Sequence, residues 1–228
     1  MTAGLVRVPR AWGADGAAMA EAAGMDIGMG AGQTVDEDSL RAQSDAIAER
    51  LPERPVVLGG CCCAHIGAAA GLARRHGRIA AVWLDAHGDL NTPETSPSGN
   101  LWGMPFRIIL DAGDVAVEDA ALLGARNLDE PEQQYIDRVG LAVTSGQLAE
   151  VLDGVSGAYV AFDVDVLDPS QIDCFMPEPD GVRLDDALEL VRSVAATVPL
   201  LGLGLTGLVA SRGNPERIDR IIRAAGLI

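Results

Sequence analysis

Short, unbroken apolar runs alternate along the chain with segments whose apolar residues recur at helical spacing. Pro55–Leu58, Ile79–Leu84, Ala120–Ala125, Gly140–Thr144, Gly157–Phe162 and the Gly-rich Pro199–Val209 read as strands. Glu37–Leu51 has Leu40, Ile47 and Leu51 on one face and reads as a helix, with Thr34 or Asp36 as the expected N-cap. Cys63–Arg75, Leu184–Thr197 and Arg217–Ala225 read as further helices. Strands without polar alternation have both faces covered, so the pattern predicts an α/β fold with a mostly parallel sheet. Residues 1 to about 35 are rich in Gly and Ala with weak periodicity, and read as loop with one short helix. Asn91–Asn100 is long and polar for a connector, which marks it as a functional loop.

The 228 residues suit one domain, and no internal repeat or interdomain linker interrupts them. A formal charge of −16, with 17 basic residues against 33 acidic ones, argues against a nucleic-acid partner, which requires a basic face. No apolar run approaches the roughly 20 residues of a membrane span. No apolar segment follows Arg7 and Arg10, so no signal peptide is expected and the expected compartment is the cytoplasm. Cys61, Cys62 and Cys63 stand in a row, with Cys174 far off, which makes neither a disulfide framework nor a zinc ribbon.

Two strands run straight into acidic motifs. Ile79–Leu84 leads into Asp85-Ala-His87-Gly-Asp89, and Tyr159–Phe162 leads into Asp163-Val-Asp165-Val-Leu-Asp168-Pro169. In a parallel sheet both motifs lie at the carboxyl edge, where such folds carry their ligand sites. Four aspartates there repel one another unless a cation removes the cost. Oxygen donors with an imidazole suit manganese or iron better than a structural zinc ion. Alternate residues would aim the ligands one way if the backbone stays extended. A single Asp after a strand is most often a turn former, but two clusters at matching strand ends are hard to explain in that way.

These motifs, followed by Asn91-Thr-Pro and Ser98-Gly-Asn100 and preceded by Leu58-Gly-Gly60, resemble the arginase and agmatinase (ureohydrolase) family over about Pro55 to Pro215. The resemblance implies a three-layer α/β/α sandwich, a single domain over 1–228, a homo-oligomer of trimer or hexamer type and a small amino-acid-like substrate. It also implies two bridged manganese ions, which activate a hydroxide that attacks a guanidinium carbon. By that resemblance Asp85, His87, Asp89, Asp163, Asp165 and Cys62 are the metal residues, with Asp89 and His87 also nearest the chemistry. Asn91, Ser98 and Asn100 match the holders of a substrate α-carboxylate. Gly124-Ala-Arg126-Asn-Leu-Asp129 resembles the segment that faces the α-amino group, so Asp129 and Glu132 are the candidates for that role. Asp168 is expected to brace its turn.

Three positions depart from the family pattern. Cys62 stands where the family has a ligand His, as in its hydroxyarginine-hydrolysing branch. A thiolate can ligate, and a helix N-terminus lowers a thiol's pKa. His65 is a weaker alternative ligand, or the change leaves one ion instead of two. Trp102 stands where a His shuttles protons, and indole cannot do so. The family's last strand supplies a Glu that pairs with the guanidinium, whereas here Arg212 falls near that position and no carboxylate occurs between Glu189 and Glu216. These departures leave two alternatives open: a degenerate metal- or amino-acid-binding relative, or an enzyme acting on a different amidine or formimino substrate. Gly202-Leu-Gly204-Leu-Thr-Gly207 matches a dinucleotide-loop pattern, but too few residues follow it for a nucleotide unit. It reads better as a Gly-rich floor under the metal site. His76, among Arg74, Arg75 and Arg78, reads as a solvated helix end.

Overall fold

The computed structural model describes residues 3–228. Seven parallel strands form one sheet: β1 (Gly4–Val8), β2 (Gln33–Thr34), β3 (Pro55–Gly59), β4 (Ala80–Leu84), β5 (Ala120–Leu123), β6 (Ala158–Asp163) and β7 (Leu200–Thr206). Their order is β2-β1-β3-β7-β6-β4-β5. Eight α-helices accompany them: α1 (Ala17–Ala22), α2 (Leu40–Arg50), α3 (Ala64–His76), α4 (Pro105–Ala112), α5 (Glu130–Val139), α6 (Leu148–Val151), α7 (Leu184–Thr197) and α8 (Asn214–Ala224).

Strands β3 to β7 are buried along their whole length. In β4, Ala80, Val82 and Leu84 pack into one core with α6, α7 and α8, while Ala81 and Trp83 pack into a second core with α2 to α5. Both sheet faces are therefore covered, which is why the strands lack polar alternation. The result is the three-layer sandwich.

Three sequence expectations change. The segment 1 to about 35 is more than loop, because β1 pairs along its length with β3 and so adds a buried strand to the sheet. Its short run is interrupted by the half-buried Arg7, which hides it in the sequence. Gly140–Thr144 does not become a strand: Ala142 alone bridges to Ala121, and a turn at Ser145–Gln147 follows. The cap of α2 is Ser39, whose Oγ accepts from Ala42 N at 3.2 Å, and neither Thr34 nor Asp36 does so.

The glycines of β7 make room. At Gly204 any Cβ would collide with the Tyr159 hydroxyl and the His65 ring. His65 is fully buried on α3 and reaches over this gap to Tyr159 and Thr206. Gly204→Ala is therefore expected to cost about 1–3 kcal/mol through overpacking. A urea denaturation midpoint would measure it, and an unchanged midpoint would contradict this view of β7.

Candidate metal centre

Four adjacent strands, β3, β7, β6 and β4, end side by side and deliver the site. Cys62 follows β3, Asp85 follows β4, Asp163 ends β6, and Thr206 ends β7 opposite Asp163 in register. The second ligand of each acidic motif is placed by a turn and not by strand alternation. The Asp85 Oδ1 accepts from His87 N at 2.7 Å, and the Asp163 Oδ1 accepts from Asp165 N at 3.1 Å. An aspartate that caps the amide two residues on folds the chain back. The expectation of an extended backbone is thus corrected. Asp89 lies further along, in the left-handed region at φ 52°. The two motifs are tied together because the Asp165 Oδ1 accepts from Ala86 N at 3.0 Å.

Cys62, Asp85, Asp89, Asp163 and Asp165 are all buried. Their donor atoms form two overlapping groups, Cys62/Asp85/Asp89 and Asp85/His87/Asp165, and within each group the atoms lie within 4.8 Å of one another. Asp85 belongs to both. Asp163 touches the first group, with the Cys62 Sγ donating to its Oδ2 at 2.8 Å. His87 Nδ1 lies 3.4 Å from the Asp85 Oδ1 and 3.1 Å from the Asp165 Oδ2.

The electrostatics show what such a cluster lacks. Burial and then the charge of Asp165 raise Asp163 to about 7. Burial and then Asp85 raise Asp165 to about 6. Burial, with Asp85 and Asp163 nearby, drives Asp89 well above the ordinary carboxylate range, and its Oδ2 is buried without a hydrogen-bond partner. Burial opposes a charge on His87, yet hydrogen bonds from its ring to Asp165 and Asp85 outweigh this and push it up to about 12. The expected lowering of the Cys62 thiol by the helix start does not occur. Burial, then the charges of Asp163, Asp89 and Asp85, push it well up. Burial and mutual repulsion thus both disfavour charge on the acidic groups, and a cation among them would offset that cost. A thiol, an imidazole and four carboxylates make a donor set with the chemistry to hold divalent cations.

His65 is no ligand. Its Nδ1 meets the Tyr159 hydroxyl at 2.8 Å and its Nε2 meets the Thr206 Oγ1 at 3.1 Å, and burial lowers its pKa to about 3. It fixes Thr206, whose hydroxyl donates to the Asp163 Oδ2 at 3.0 Å and lies 3.3 Å from the Cys62 Sγ. Thr206 was not singled out from sequence, although it ends the Gly-rich strand. Asp168 accepts from Ser170 N at 2.9 Å and braces its own turn.

The carboxylates floor a cavity of about 260 Å³. Asn127, Ser98 and Asp129 line one part of it, and Trp102, Phe175, Met176 and Met19 another. Trp102 meets Phe175 edge to face at 5.8 Å. The proposed substrate-head residues divide. Ser98 and Asp129 line the cavity. Asn91 also lines it, but its amide donates to the Asp129 Oδ2 at 2.8 Å and its Oδ1 accepts from Thr95. Glu132, in the first turn of α5, also lines the cavity, and its carboxylate accepts from Leu90 N and Asp129 N, both at 2.9 Å. Asn100 is not among the lining residues, and its Oδ1 accepts from Ala14 N at 2.9 Å. Arg212 is exposed and does not line the cavity. The wall at the end of β7 is Gly207, at φ 70°, where a Cβ would collide with the Asp163 carboxylate.

The family model described as the arginase family matches residues 14–208. The arginase of Bacillus subtilis (strain 168) is 36% identical over 164 residues, which are 58% of this chain and 55% of that protein. The matched segment thus spans about half of that relative's length. A crystal structure of arginase from Bacillus subtilis superposes with a TM-score of 0.82 at 23% identity, over 99% of this chain and 98% of that one. Formimidoylglutamase from Bacillus subtilis superposes with a TM-score of 0.77 at 18% identity, over 100% of this chain and 88% of that one. At these identities the superpositions speak for the fold.

The raised carboxylates give a pH-dependent expectation. Asp163 and Asp165 titrate near 7 and 6 in the metal-free fold, against an ordinary value of 3.8. The stability linked to their protonated forms is present below the ordinary value and lost as pH rises through 6 to 7. Bound divalent ions cancel that loss. The rise in melting temperature on adding manganese should be larger at about pH 8 than at about pH 5.5. Differential scanning calorimetry would measure it, and equal rises would contradict the assignment.

Proposed function

The chain belongs to the arginase family, and from that premise we propose that it is a metal-dependent hydrolase cleaving a linear C–N bond of a guanidino amino acid, of the arginine or N-hydroxyarginine type. The observation that carries this reading is the pair of overlapping ligand groups sharing Asp85. When bound, two ions would supply a water-derived nucleophile at neutral pH. Cys62, Asp85, His87, Asp89, Asp163 and Asp165 would hold them, with Asp85 common to both groups of donor atoms. The matched sequence spans only about half of the curated arginases, so the activity is argued from this chain's own site.

The cavity's chemistry narrows the substrate. Among its lining residues there is no Arg, and the chain contains no Lys. Carboxylates surround its floor, which favours a cationic or neutral head over an anion. Ser98 and Asn127 are the neutral donors for a substrate carboxylate, and Asp129 is the acceptor for an amino group. Gly207 offers no side chain to a guanidinium, and Trp102 offers no titratable group to the departing nitrogen. N-hydroxylation of a terminal nitrogen leaves the departing amine the same but lowers the basicity of the guanidinium, so its carbon is more open to attack, which offsets part of that deficit.

The test is ornithine release from arginine and from N-hydroxyarginine with manganese supplied, with urea and hydroxyurea as the respective co-products. N-hydroxyarginine is expected to turn over faster than arginine. Trp102→His should speed arginine turnover on the order of 10²-fold, the usual contribution of a general acid. Turnover of neither substrate would overturn the reading and favour a non-catalytic binder. Turnover of a formimino substrate alone would move it to another amidine.

A further inference from the structure

His87 presents its two ring nitrogens to different partners. Nδ1 faces the centre, near Asp85 and Asp165, while Nε2 faces outward. That outer nitrogen is buried and makes no hydrogen bond. The Glu178 Oε1 lies 3.5 Å from it, on the half-buried side chain of a segment between β6 and α7. For Nδ1 to hold a cation its lone pair must be free, so the ring proton must sit on Nε2. A ligating imidazole usually donates that other N–H to a carboxylate, which fixes both tautomer and ring angle.

The surroundings hold Glu178 for such a role. The Asn127 side chain donates to the Glu178 Oε1 at 2.8 Å. Arg126 donates to the carbonyl of Glu178 at 3.0 Å and to that of Asp165 at 2.7 Å, so one guanidinium joins the Glu178 segment to the metal-motif loop. It also reaches the carbonyls of Pro179 and Val166. The amides of Arg126 and Asn127 donate to the Ala86 carbonyl, at 2.8 and 3.0 Å, beside His87 itself. The turn after β5 therefore carries both the clamp and the residue that aims the carboxylate.

We propose that Glu178 is a positioning residue that takes the Nε2–H of His87 and thereby sets the ion held by Asp85, His87 and Asp165. This rests on the reading of the cluster as a two-ion centre. It assigns a task to Asn127 as well.

The experiment is a stepwise cobalt(II) titration of the native chain, Glu178→Ala, Glu178→Gln and Asn127→Ala. Calorimetry counts the ions, and the thiolate-to-cobalt absorption band reports the one at Cys62. Glu178→Ala should weaken the ion at His87 by about 10–100-fold and move the Cys62-linked midpoint far less. Glu178→Gln, whose amide oxygen still accepts from Nε2, should restore most of that affinity. Asn127→Ala should weaken the same ion by a smaller factor. Unchanged midpoints in Glu178→Ala, an equal loss at both ions, or a Gln variant as impaired as the Ala variant would each overturn the proposal. If Glu178→Ala does not fold, an unchanged Asn127→Ala overturns it instead. A native chain that binds no cobalt overturns this proposal and the two-ion reading together, whereas a loaded native chain with unmoved variants overturns this proposal alone.

Discussion

Four aspartates and a thiol buried within a few ångströms of one another cannot all carry charge without compensation. That constraint organises the protein. The sheet places the ends of β3, β7, β6 and β4 together, and each strand end contributes an acidic or polar group to one small volume. Burial and mutual repulsion raise Asp163, Asp165 and Asp89, and the carboxylates around its ring raise His87. Tyr159, His65 and Thr206 form a buried line of hydrogen bonds that ends on Asp163 and Cys62. Trp83 supports Asp85 from below, with its Nε1 donating to the Asp85 Oδ2 at 3.1 Å.

Much of this was legible in the sequence because its signals are local. Asp85-Ala-His87-Gly-Asp89 and Asp163-Val-Asp165 each follow an apolar strand directly, so strand ends and ligands could be placed together. Helix α7 shows the same clarity, since its apolar spacing marks it from Leu184 to Thr197. Signals that depend on distant partners were hidden. The strand β1 is defined by pairing with β3, and a five-residue stretch interrupted by Arg7 in a Gly- and Ala-rich segment does not announce it. His65 looked like a spare ligand, yet its direction is set by the gap that Gly204 leaves on another strand. Glu132 and Asn100 carry polar side chains in motif positions, but the fold engages them with backbone amides, which only the structure reveals. Helices α4 and α5 were passed over, although Pro105 and Pro131 stand at their first turns and Asp129 with Glu132 forms a capping box.

The departures from the family pattern fit together physically. With Gly207 at the end of β7 and Trp102 over the cavity, the wall near the centre is short on titratable groups and rich in apolar surface. Arg212, which looked like an obstacle to a cationic substrate, is exposed and outside that wall. Cys62 keeps a donor atom in the place of an imidazole, and Thr206 and Asp163 hold its sulfur. The six donor side chains are thus kept together, while neither Trp102 nor Gly207 adds a titratable group beside them.

The central claim is that Asp85 is shared between two neighbouring ions. Electron paramagnetic resonance of the manganese-loaded protein addresses it directly, because two manganese ions joined through a carboxylate couple magnetically. A coupled-pair spectrum that collapses to an isolated-ion pattern on Asp85→Ala is the predicted result. An isolated-ion spectrum from the fully loaded native chain would contradict the account.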